Sequence, residues 1–340
     1  MSSVTANHSD PRNARRSEFT FAGGVLLFTA LASTLTIAAP VAVSVIIVFL
    51  FAGPHNYAEA RYFLTRLPAR MGRLKPFFLL SMAGTISLTI AFPLLMRIPV
   101  WLHWPAVTAI WLIGLWNTAF VLWCTALVSM RSRQAPRRDW DFARPVGIAV
   151  TGLTWLSPAI LPLLLVYAHP LMGLWILDRE LQRSHPSWRQ AFRFCVILLP
   201  VFLVLQWSAV GGITTDGWQG PQQIHEQIER HSGTAFFTEA VSQRMIATHA
   251  FLELLHYGVW LIAVPMVSGR VFSEAFAGIP LMRRSGFVRI SIRTILCASA
   301  ILVAALWLCF AADYSTTRDV YFTVATLHVL AEIPFLLRLL

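Results

Sequence analysis

The chain reads as an all-α, polytopic membrane protein of about ten transmembrane spans with both termini cytoplasmic, and three observations predict this. First, of 340 residues 56% are hydrophobic and only 13% are charged, against roughly 25% charged in a soluble domain. Second, the apolar stretches are long, rich in Leu, Ala and Val, and lack the two-residue alternation of barrel strands. In hydrocarbon every backbone N–H and C=O must be satisfied internally, so such stretches must be helices. Third, Arg and Lys fall almost entirely into alternate connecting segments.

Taken in order, residues 1–18 form a polar tail and 19–340 a single transmembrane domain. Spans are expected at 20–37, 40–60, 76–96, 101–130, 145–156, 158–178, 193–211, 241–266, 290–312 and 319–337. Residues 19–58 and 145–178 are short for two full spans each, since one span needs about 20 residues. Pro40 and Ser157-Pro158 supply the breaks. The second pair is expected as two short helices or a re-entrant hairpin. A segment at about 207–240, with Gly211-Gly212, Gly217 and Gly220-Pro221, forms the one sizeable outer loop, a candidate cap or lid. With the N-terminus inside, 23 of the 27 basic residues lie in inner segments, and only Arg97, Arg230, Arg244 and Arg318 lie outside. The localisation implied is a multi-pass protein of the cell inner or plasma membrane.

The net charge of +11 is thereby a topology signal. The basic loops face anionic lipid headgroups and have no aromatic interleaving, which argues against a nucleic-acid partner. Cys124, Cys195, Cys297 and Cys309 lie within spans, show no CxxC spacing and read as packing residues.

Ionisable groups within a bilayer are costly, so each calls for a reason. Of nine glutamates, three fall in or at the inner end of a span: Glu59, Glu253 and Glu332. Each stands four residues after a histidine, giving His55/Glu59, His249/Glu253 and His328/Glu332. On a helix such residues share a face, with Cβ atoms about 5–6 Å apart. An imidazole and a carboxylate so placed can hold one metal, or the carboxylate can orient the imidazole. His256 extends the third span to H-x3-E-x2-H, and Glu-x-x-His is a ligand pair of di-iron carboxylate bundles. His249 and His256 stand seven residues apart, about 10 Å, so they fit two ions, or one ion with the other histidine in support. His169 joins the set by height: the four spans carrying these groups run the same way, with His55, His169, His256 and His328 in the inner half and His249 nearer the middle. His103 reads as an interfacial residue, and His8, His185, His225 and His231 as solvated.

Pro54-His55 in a kinked helix, with further intramembrane histidines beside carboxylates, resembles the Brp/Blh-type β-carotene dioxygenases. Asn56 follows the histidine where that family usually has glycine, and Glu stands where Asp is expected. The resemblance implies His55, His169, His249, His256 and His328 as iron ligands, in a membrane enzyme that cleaves a lipophilic substrate with dioxygen. The expectation is a metal-dependent oxygenase, its iron mononuclear or dinuclear (or another transition metal in its place), with dioxygen and an apolar small molecule entering from the bilayer. Tyr57 and Tyr257, each beside a candidate ligand, are candidates to hydrogen-bond the oxygen. A proton- or metal-ion transporter using the same His/Glu groups is the competing expectation, and a haem protein with paired axial histidines leaves the glutamates unexplained.

Overall fold

Backbone polar groups in apolar segments close on themselves, and every element among the described residues is helical. The computed structural model describes residues 11–68, 70–134, 140–210, 219–233, 239–268, 278–283 and 286–339. His8 and the first ten residues of the tail, Arg137 and Arg138, Gly211, Gly212 and Gly217 of the outer loop, and Arg270 and Arg284 lie outside these. The helices are α1 (Pro11–Ala38), α2 (Pro40–Arg66), α3 (Lys75–Trp101), α4 (Ala106–Gln134), α5 (Ala143–Leu156), α6 (Ile160–Ser184), α7 (Trp188–Ile197) and α8 (Leu199–Val210). They continue with α9 (Gln222–His231), α10 (Glu239–Gly258), a π turn (Val259–Ala263), α11 (Val264–Ser268), α12 (Gly286–Ala312) and α13 (Tyr314–Leu339). Residues 11–18, assigned to the tail from sequence, are already the first turns of α1. The α1–α2 break falls at Ala39, with Pro40 at the start of α2, where its missing N–H has no helical partner to lose.

Among the described residues nine helices are long and apolar enough to cross a membrane, with α7–α8 acting as one and α10–α11 as another. The tenth expected span, at 145–156, is α5. Its 14 residues rise only about 21 Å, short of a hydrocarbon core of about 30 Å. Arg144 and the Ser157-Pro158 break leave it no more room, and α6 takes the full length of that pair.

The segment Val241–Ser268 is the axis of the bundle: 67% of its most apolar stretch is buried, against 11% for Val288–Ala312. α10 packs on α1, α2, α6 and α8, while α12 turns Ile295, Ile301, Leu302 and Leu308 outward. One end is closed by an aromatic floor of Tyr62, Phe63, Trp260 and Phe335, with Phe63 and Phe335 stacked at 4.0 Å. Below it, Tyr62 Oη donates to Glu180 Oε2 at 2.9 Å and Arg66 pairs with the other oxygen. Arg189 and Arg193 both grip Asp178. The opposite end is covered by α9, whose Ile224 and Ile228 pack with Val41 of α2 and Ile246 of α10.

Candidate metal centre

The site is built by α2, α6, α10 and α13, which run parallel: contacts advance together from His55–His256 and His55–His328 to Tyr62–Trp260 and Phe63–Phe335, and on α6 from Tyr167–His249 through His169–His256 to Gly173 beside Trp260. Local sequence aims the side chains. Pro54 cannot donate to Leu50 O, and the Trp307 indole of α12 supplies that hydrogen bond at 3.3 Å. One residue later His55 Nδ1 bonds Phe51 O at 3.0 Å. This places the proton on Nδ1 and leaves Nε2 as a lone pair facing the centre. Gly173 on α6 leaves the space that His256 fills, since a Cβ there would stand 3.1 Å from His256 Nδ1. A π turn begins just after His256-Tyr257-Gly258, a local widening often found at functional sites.

Six side chains converge in an inner group. His55, Glu59, His256 and His328 bring one ligand atom each within 4.8 Å of one another, and so do His169, His256 and Glu332, with His256 common to both sets. Ring centroids lie 4.3 Å apart for His169–His256, 4.9 Å for His169–His328 and 5.2 Å for His55–His328. His169 Nδ1 meets Glu332 Oε2 at 3.0 Å, the carboxylate–imidazole pairing that fixes ring orientation. Its Nε2 lies 3.2 Å from His328 Nε2. At that distance one ring donates an N–H to the lone pair of the other, or both nitrogens face one metal ion. His55 Nε2, both Glu59 oxygens, both His256 nitrogens, His328 Nδ1 and Glu332 Oε1 are buried with no hydrogen-bond partner. Buried polar atoms are ordinarily paired. A convergent set of unpartnered imidazole and carboxylate atoms fits a transition-metal ion, and His256, which has one lone pair to give as a neutral ring, can serve either set.

An outer group lies two turns toward α9. His231, His249 and Glu253 bring ligand atoms within 4.8 Å of one another. His249 Nδ1 stands 3.5 Å from Glu253 Oε2, and His231 packs edge-on to His249 at 5.0 Å and against Phe322 at 4.0 Å. His231, read from sequence as solvated, is half-buried. Loss of water around the ring, with His249 and Arg318 nearby, holds its pKa well below the usual histidine value. Arg318 of α13, placed from sequence among the outer flanking residues, is buried at 2% exposure and bears on Glu253 and His249. A fourth histidine–glutamate pair at the same spacing, His225/Glu229, lies on α9 at 3.5 Å and belongs to neither group.

The four inner histidines and the three residues of the outer group line one cavity of about 750 Å³, while Glu59 and Glu332 are not part of its lining. Its walls include Phe92 and Met96 of α3, Trp116 of α4, and Leu163 and Val166 of α6, while Arg230 and Asp319 stand at the α9 end. The structure divides the eight residues expected to bind metal between two groups: His55, Glu59, His169, His256, His328 and Glu332 in the inner one, and His249 and Glu253, with His231, in the outer one. Tyr257 is buried with its ring 4.5 Å from His55 and lines the cavity. Tyr57 does not reach it; its side chain packs with Ile279, Met282, Ile292 and Leu296, since residue 57 is two positions past His55 and so points to another side of α2. Tyr321, which accepts a hydrogen bond from Asn56 at 3.2 Å, stands on the cavity wall instead. Family models, curated proteins and solved structures were all compared with the chain, and none matches it.

Proposed function

We propose that this chain is a membrane-embedded, metal-dependent oxygenase, with iron as the metal, acting on a lipophilic substrate. The observation that carries the reading is the convergence of four histidines, backed by two buried glutamates, on one end of a largely apolar cavity. His55, His256, His328 and Glu59 would hold the ion, with His169 and Glu332 completing or orienting the set. Iron bound there supplies redox chemistry toward dioxygen. The chain's own residues do the rest. Phe92, Met96, Trp116, Leu163 and Val166 hold an apolar chain and exclude water. Tyr257, its ring packed on His55, forms part of the cavity wall between the two groups. The outer group plays a different part, because Arg318 disfavours a second cation beside His249 and Glu253.

The aromatic floor favours an enzyme over a conduit: the packed rings of Tyr62, Phe63, Trp260 and Phe335 separate the inner group from the Glu180–Arg66 pair below. The test is oxygen uptake by purified, iron-loaded protein given long polyenes and unsaturated fatty acids in turn. Substrate-dependent uptake that disappears in His256→Ala is expected. Sided proton or metal flux through proteoliposomes, without oxygen uptake on any of these compounds, would establish the transporter instead.

A further inference from the structure

Arg318 is a buried guanidinium with two unused donors. It is 2% exposed, it lines the cavity, and its Nε and Nη2 have no hydrogen-bond partner. Those two N–H groups form the side-on fork of arginine, matched to the two oxygens of a carboxylate. The same chain shows the match made. Arg189 gives Nε and Nη2 to the two oxygens of Asp178 at 3.0 and 2.8 Å, and Arg193 gives the same pair of nitrogens at 2.7 and 3.3 Å. Among the described residues no carboxylate fills the fork at Arg318. Glu253 is turned to His249, and Asp319, next along α13, also lines the cavity without bonding it. Phe322 packs under the guanidinium at 4.6 Å and holds its plane.

We propose that Arg318 docks the carboxylate of a lipophilic acid lying in this cavity. The apolar walls take the chain of the acid, and His231 and His249 beside the fork offer further imidazole N–H donors to the head. Arg318 and His328 are ten residues apart on α13, about 15 Å. A molecule held at Arg318 therefore presents mid-chain atoms, not its head, to the inner histidines. That the bound acid is the substrate rests on the oxygenase reading; that it binds does not.

The test compares palmitate with hexadecanol, which share a chain and differ in the head, by equilibrium binding to the whole protein in non-ionic detergent, with metal content measured on the same samples. A bidentate charge-assisted pair predicts at least about tenfold tighter binding of the acid. Arg318→Gln should bring palmitate down to the affinity of hexadecanol and leave hexadecanol unchanged, and Arg318→Lys should restore part of the difference. Equal affinities in the unaltered protein, which needs no variant to fold, would overturn the subsite, as would full acid preference in folded Arg318→Gln. Equal affinities in unaltered protein that holds its metal remove the subsite alone. Acid preference in protein that holds no metal removes the metal reading alone.

Discussion

At Gly173 an added methyl group would sit 3.1 Å from His256 Nδ1, tighter than ordinary contact, so the ring must shift by a few tenths of an ångström to admit it. Alanine is also the better helix former, by about 1 kcal/mol. Gly173→Ala should therefore leave the fold intact, with unchanged or raised thermal stability in detergent, yet weaken metal retention by about tenfold, as altered support around ligands does. A chelator titration followed by elemental analysis reads this, and unchanged retention would show that His256 is not held against α6. At this scale much was legible. The i,i+4 spacing on α2, α10 and α13 marks three pairs directly, and the common direction of the spans marks His169. His231 was hidden because it stands in a polar, charged segment whose docking onto α10 no local pattern encodes. Arg318 was hidden because one arginine near the end of a span looks the same whether it faces headgroups or turns inward. Tyr57 misled because adjacency in sequence is not adjacency on a helix.

Among the elements, α9 bears most on access. It carries His231 and reaches the bundle through Ile224 and Ile228, the latter 1% exposed. Ile228→Asp places a charge in that contact and should release α9 at a cost of about 3 kcal/mol. Limited proteolysis should then cut within α9 many times faster, while the inner group, which α9 does not touch, keeps its metal. Metal loss from this variant would mean that the cap and the inner group form one unit. The short α5 belongs to this scale as well. Its sequence is apolar enough for a span, and only its length, bounded by Arg144 and Ser157-Pro158, keeps it from being one. The π turn after Gly258, which carries the buried Trp260, had no signal in composition or spacing.

Over the whole molecule, four parallel helices place their ionisable groups at two heights, with an apolar chamber between α3, α4 and α6 on one side and an aromatic floor at the Arg-rich end. The segregation of arginines made the direction of the spans readable, and direction alone put the histidines at matching depths. Which helices are neighbours was not readable, because side-chain packing between apolar faces carries almost no sequence signature. The account rests on one division of labour: the inner group holds the metal, and the outer group with Arg318 does not. Elemental analysis of protein purified in mild detergent tests it directly, using the unaltered chain, His256→Ala and His249→Ala. The account predicts stoichiometric transition metal in the first, none in the second and full retention in the third. Full occupancy in His256→Ala, or loss in His249→Ala alone, would contradict it.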